Sequence, residues 1–129
     1  MNVPKNLFYT KEHEWIKIEA NKGIVGITEH AQHALGDITF VELPKPEREV
    51  NQFDKIATIE SVKAVSDVFS PVSGKITKLN DTLANSPEQI NQDCYSSGWL
   101  FELEIKDVTE KDNLMDAEKY TEFLKTQEE

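Results

Sequence analysis

A single lysine stands in the stretch ESVKAVSD, Glu60 to Asp67, between a valine and an alanine. Its amine could form a Schiff base if burial lowered its pKa, although a bend would leave it exposed. A plainer reading is a lysine on the wet side of an edge strand, where charge discourages aggregation. The flanking runs can also pair as a hairpin with Lys63 at the bend. VKAV holds no Asn-Gly or Asp-Gly turn signal, and a type I turn tolerates most residues. Pattern alone permits the bend without announcing it.

Other reactive side chains are few. His30 and His33 lie three apart on a short helical piece, and His13 lies near the start. A pair at that spacing can share a metal, but no pattern supplies the remaining ligands, and satisfied or surface histidines are the simpler reading. The one cysteine, Cys94, excludes an internal disulfide and a cysteine-based zinc site. It reads as a loop or partly buried thiol. There is no Gly-rich phosphate loop and no G-x-S-x-G elbow.

The elements that must position these residues are mostly short strands. β-like runs cover Glu14–Ala20, Gly23–Thr28, Asp37–Pro44, Lys55–Val62, Ala64–Pro71, Gly74–Asn80 and Gly98–Ile105. Several alternate with period two, most cleanly Trp99, Phe101, Leu103 and Ile105, with Leu100, Glu102 and Glu104 on the other face. Many short strands with frequent turns predict a sandwich or barrel. A short helix is expected over 28–35, with Thr28 as N-cap and Gly36 just past its end. A helical turn is expected near 86–90, from a capping Ser86 and Pro87 in the first turn. A charged helical tail fills 107–129, with Tyr120, Phe123 and Leu124 on one packing stripe and residues 126–129 frayed. One domain over 1–129, with its β core in 1–106, is the simplest organisation.

The chain has 129 residues, is 38% hydrophobic and 29% charged, and carries a net charge of −10. That is long enough for a modest core. Such acidity argues against nucleic acid as a ligand. No apolar run reaches membrane-spanning length, so no membrane partner is expected. The start lacks a signal-peptide core, and the chain reads as cytoplasmic, or as mitochondrial matrix if it is a processed eukaryotic protein. A monomer is expected, because no long apolar surface stripe is left over.

The order of short motifs adds more. KEHEW at Lys11–Trp15, GITEHAQ at Gly26–Gln32, LGD at Leu35–Asp37, FVELP at Phe40–Pro44, ESVKAVSD, SPVSG at Ser70–Gly74 and GW at Gly98–Trp99 follow one another in register. Together they resemble the H-protein family of the glycine cleavage system over nearly the entire chain. The resemblance implies a lipoyl/biotinyl-carrier type fold, a flattened hybrid barrel-sandwich of two antiparallel sheets, mainly β with short helices and a C-terminal helix. It places the carrier lysine at a hairpin tip, at Lys63, joined by an amide to lipoic acid. Biotin carriers usually flank their lysine with methionines, and lipoyl domains of 2-oxoacid dehydrogenases commonly show Asp-Lys-Ala. Val62 and Ala64 beside Lys63, with Glu60 before them, fit neither. Family members often carry glycines in the connection where this chain has Lys45–Asp54, which holds none.

The resemblance further implies a shuttle and not an enzyme. Its arm would take an aminomethyl group at a pyridoxal-phosphate-dependent glycine decarboxylase and deliver it at a tetrahydrofolate-dependent aminomethyltransferase. A flavin (FAD) dihydrolipoamide dehydrogenase would then reoxidise the arm, and a lipoyl ligase or transferase would install it. An alternative within the same resemblance is an H-like lipoyl or octanoyl relay protein serving 2-oxoacid dehydrogenase complexes. The loaded arm carries a basic amine and is expected to shelter in a surface cleft. Glu14 or Asp67 would supply a carboxylate there, with His30 as a polar wall.

Overall fold

The computed structural model describes residues 2–127. Strands β1 (Phe8–Tyr9), β2 (Glu14–Glu19) and β3 (Lys22–Ile27) come first, followed by helix α1 (Glu29–Leu35). Then come β4 (Ile38–Glu42), β5 (Glu49–Val50), β6 (Lys55–Ser61), β7 (Val65–Phe69) and β8 (Gly74–Leu79). Helix α2 (Gln89–Gln92), strand β9 (Phe101–Ile105) and helix α3 (Ala117–Gln127) complete the chain, with 3-10 turns at Asp81–Ala84 and Val108–Asn113. The strands form one 6-stranded sheet, ordered β1-β2-β3-β9-β8-β5, and one 3-stranded sheet, ordered β4-β6-β7. Every neighbouring pair is antiparallel.

Alternation explains the layering. Ile16, Val25, Phe101, Leu103 and Ile76 on the larger sheet meet Val41, Ile59 and Val68 on the smaller one in a single buried cluster. The opposite face of the larger sheet bears charges whose signs alternate across the strands. Glu19, Lys22, Glu104, Lys75 and Glu49 stand opposite one another in turn. Opposite charges on neighbouring strands support the register, and a one-residue slip would carry the apolar set out of the core.

A second buried cluster holds Leu7, Tyr9, Trp15, Tyr120 and Leu124. The expected stripe of the tail helix packs here, with Tyr120 stacked on Tyr9 at 4.5 Å between ring centroids. The Trp15 indole donates to the Cys94 carbonyl at 3.0 Å and lies flat over Gly26. A Cβ at Gly26 would come within 2.6 Å of that ring, so only glycine fits.

Several expectations change in detail. β1 and β5 hold two residues each and are too short for alternation to reveal. Leu100 is fully buried and does not share a wet face with Glu102 and Glu104. It precedes β9, and its amide donates to the Val25 carbonyl at 2.8 Å, which turns it inward before alternation begins. The helical turn near 86–90 becomes α2 at Gln89–Gln92, with Ser86 and Pro87 in the preceding turn and no side-chain cap. The tail begins with a 3-10 turn, and Thr126 and Gln127 belong to α3 rather than fraying. Residues 128–129 lie outside the described residues.

The glycine-free connection takes left-handed turns without glycine. Glu47 and Phe53 have φ of 69° and 68°. Their amides donate to the Ile76 carbonyl at 2.8 Å and the Ser70 carbonyl at 2.6 Å, so the ladder holds these two residues in a conformation they disfavour. Ala20, exposed in the β2–β3 turn, is likewise left-handed at φ 55°. Ala20→Gly should raise stability by roughly 0.5–1 kcal/mol, the relieved left-handed strain less glycine's extra chain entropy. A thermal melt with a lower midpoint than the parent would contradict this account of the turn.

Candidate functional site

Lys63 sits at the tip of the β6–β7 hairpin. Glu60 pairs with Val65, the Ser61 amide donates to the Ala64 carbonyl at 2.8 Å, and Val62 and Lys63 form the turn between them. The turn lacks glycine and asparagine. It is built instead by Ser61, whose Oγ accepts from the amides of Lys63 at 3.3 Å and Ala64 at 3.1 Å. A serine hydroxyl that holds the next two or three amides is a recognised substitute for a backbone turn. Val62 is tied elsewhere, its amide donating to the Asp37 carbonyl at 3.0 Å.

The surroundings of Lys63 are exposed and short of charge. Val62 and Val65 are 68% and 67% exposed, among the most exposed large apolar side chains described. The lysine stem passes over Gly36, where an added Cβ would lie 3.2 Å from Lys63 Cε. Gly36 is left-handed at φ 78° and closes α1, its amide donating to the Gln32 carbonyl. At the other end, Thr28 Oγ accepts from the Ala31 amide, the cap expected from the sequence. The fold therefore brings the LGD and ESVKA motifs together.

The residues expected at an arm cleft are placed differently from one another. Asp67 is exposed on β7, 3.3 Å from Lys55 Nζ. His30 is half-buried on α1, its ring 4.3 Å from that of His13. His33 is exposed and away from this stack. No three His, Cys, Asp or Glu side chains among the described residues are grouped to hold a metal. His13 Nδ1 hydrogen-bonds the Tyr120 hydroxyl at 2.8 Å, which also meets Thr28 Oγ at 2.7 Å. Burial, with His30 beside it, holds the His13 imidazole down at about 4.

Glu14 is no surface acid; it is 1% exposed. One carboxyl oxygen accepts from Thr10 Oγ and the other from the Phe69 amide at 3.2 Å. Both partners line a cleft of about 420 Å³ whose other walls include Glu12, Phe53, Asn113 and Met115. Burial pushes the Glu14 carboxyl up to about 7, against the opposing pull of its hydrogen bonds. Glu14 and Asp67 share no bond, but they are linked through β7, which carries Asp67 two residues before the amide that Glu14 holds.

Sequence reading missed the apolar walls of this cleft. Phe53 stands 49% exposed on a left-handed residue, and nothing local marks Phe69 or Met115 as its neighbours. Glu14 did leave a signal, since it shares strand parity with Ile16, which is fully buried. Cys94 is buried in the loop after α2, where burial drives its thiol up to about 12, so it is inert.

Comparison with known proteins follows from this geometry. Residues 7–127 match the family described as "Glycine cleavage H-protein". A glycine cleavage system H protein of Symbiobacterium thermophilum is 53% identical over 124 residues, spanning 96% of this chain and 97% of that protein. Another, of Halothermothrix orenii, is 49% identical with the same coverage. The crystal structure of a glycine cleavage system H protein from Mycobacterium marinum superposes with a TM-score of 0.82 at 32% identity, covering 98% of this chain and 100% of that one.

The buried carboxyl makes a pH prediction. Its folded pKa, about 7, lies above the ordinary 4.5, so its stabilising contribution is fully present below 4.5 and is lost as pH rises through about 7. His13 acts in the opposite sense, contributing above its ordinary 6.5 and losing that as pH falls through about 4. Relative to Glu14→Gln, the parent should lose on the order of 3 kcal/mol between those two carboxyl values, measured as the difference of denaturant-unfolding curves against pH. Parallel curves for the two proteins would rule out a strained carboxyl.

Proposed function

Because this chain belongs to the glycine cleavage H-protein family, we propose that Lys63 is its lipoyl attachment residue and that the cleft beside Glu14 shelters the cargo. Membership makes it a lipoyl-carrier subunit of the glycine cleavage system and not a catalyst. The observation that carries the assignment is the lysine's place: an exposed primary amine at the tip of a rigid two-residue turn, framed by uncharged Val62, Ala64 and Val65.

The residues present suit a lipoyl group. Acylation removes the lysine charge, and the exposed valines and bare Gly36 offer an apolar path for a long hydrocarbon arm. When bound, lipoic acid supplies a dithiolane that takes up the aminomethyl group of glycine. Everything else is the chain's contribution. Ser61 and Asp37 hold the turn, so the attachment amine stands at one place on the surface. β7 leads from that tip past Asp67 to Phe69 at the wall of the cleft. Phe53, Phe69 and Met115 give the cleft apolar walls, which would favour a hydrolytically fragile cargo. Glu14 stands behind these walls, bonded to Thr10 and Phe69, and a cationic cargo in the cleft would favour its ionised form, the proton passing to solvent. Asp67, paired with Lys55, and His30, stacked on His13, lie outside the lining of this cleft, so any part they take is at its approaches.

The proposed partners are those of the family's reaction sequence: glycine decarboxylase, aminomethyltransferase, dihydrolipoamide dehydrogenase, and a lipoyl ligase or transferase. Tethering at a fixed base raises the local concentration of the arm at each of them. The chain is proposed to act as a cytoplasmic monomer, as one carrier unit over 1–129. No helix among the described residues is long and apolar enough to cross a membrane.

Incubation with a lipoyl ligase, lipoate and ATP should add the mass of one lipoyl group, and Lys63→Arg should abolish the shift. Retention of the added mass in that variant would move the attachment to another lysine. Absence of any shift in the parent would refute the assignment.

A further inference from the structure

We propose that Asn91 is a positioning residue for the carrier lysine, acting through the loop after α1 on which both the turn and the stem of Lys63 rest. The inference builds on the assignment of Lys63 above. Three amides lie at the hairpin tip. Those of Lys63 and Ala64 are held within the turn by Ser61 Oγ. The Val62 amide alone reaches outside the hairpin, to the Asp37 carbonyl at 3.0 Å. The tip is therefore as well placed as Asp37 is, and Asp37 is an exposed residue between a helix and a strand.

Asn91 brackets that residue. Its Oδ1 accepts from the Ile38 amide at 2.9 Å, and its Nδ2 donates to the Gly36 carbonyl at 2.8 Å. Nδ2 also donates to Gln32 Oε1 at 3.0 Å, on the last turn of α1. A planar amide is the side chain that offers a donor and an acceptor side by side, and here the partners fix its orientation, an N–H on one side and a carbonyl on the other. The bracket grips the residues immediately before and after Asp37. It also sets Gly36, the surface over which the Lys63 stem passes.

Asn91 is itself firmly seated. Its neighbour Ile90 is fully buried, and the backbone of α2 packs against Gly98, where an added Cβ would meet Ile90 Cα at 2.8 Å. The consequence is a relay from the core to the reactive amine: α2 holds Asn91, Asn91 holds the loop, the loop holds Val62 and the lysine stem. A lipoyl-attaching enzyme must find one amine among many, so it reads a fixed tip more readily than a mobile one.

The rival account is that Asn91 merely joins α1 to α2. Gln52→Ala provides the control, because Gln52 Nε2 also donates to two backbone carbonyls, those of Pro71 at 3.0 Å and Glu110 at 3.1 Å, and neither belongs to the hairpin tip, its loop or α2. Both variants should melt below the parent. In Asn91→Ala the Val62 amide, followed by NMR hydrogen exchange in the unmodified protein, should exchange about tenfold faster, the effect of losing roughly one hydrogen bond. The lipoyl ligase KM for the carrier should rise while kcat holds. Gln52→Ala should leave both readouts at parental values. Should Asn91→Ala not fold, Asn91→Asp keeps the acceptor for Ile38 and loses the donors, and it carries the same test. Parental Val62 exchange or parental KM in the Asn91 variant would overturn the proposal, as would equal changes in Gln52→Ala. If the parent takes no lipoyl group, the Lys63 assignment fails, while the exchange comparison still decides what Asn91 holds.

Discussion

Lys63 at its hairpin tip has to stand clear of the core, yet the strands that carry it have to be held in place. The hydrogen bond from the Val62 amide to the Asp37 carbonyl meets both demands. It fastens the hairpin from outside its own ladder and leaves the lysine side chain untouched. β6 pairs with β4 on one side and β7 on the other, so its end is braced from both edges. The remaining architecture supplies fixed points for this attachment: α1 capped by Thr28 and closed by Gly36, α2 pinned through Ile90, and two sheets locked by a shared core.

Charge is distributed to suit this arrangement. On the larger sheet the outward acids and lysines offset one another across strands. On the smaller sheet Glu42, Glu60 and Asp67 face outward with Lys55 as their one close cation among the described ion pairs. These acids give the smaller sheet a negative outer face, which contributes to encounter with other molecules more than to stability. Glu14, the one deeply buried acid among the described residues, has the opposite character: its desolvation is a standing cost.

Much of the fold was legible because alternation and capping are local. The strands from Glu14 to Glu19 and from Phe101 to Ile105, the N-cap at Thr28 and the terminating Gly36 follow from neighbouring residues alone. The hairpin tip was legible only through the ordered motifs. Its turn depends on a serine hydroxyl and on a carbonyl far back in the chain, and neither is a turn signal. The cleft was the least legible part. Its walls come from β1, the connection before β6, the end of β7 and the segment before α3, which no periodicity joins. Leu100 shows the limit of alternation itself, which holds only once the chain has entered the ladder.

The second aromatic cluster has a temporal meaning. Tyr9 bridges to Met115 and stacks on Tyr120, so the wall of the cleft at β1 is completed by residues near the other end of the described chain. During synthesis the 3-stranded sheet and its hairpin emerge well before those partners exist. The β6–β7 turn can form early, while the packing of Tyr120 on Tyr9 waits until α3 has left the ribosome. A nascent chain would thus expose Lys63 before the wall of the cleft at β1 is complete.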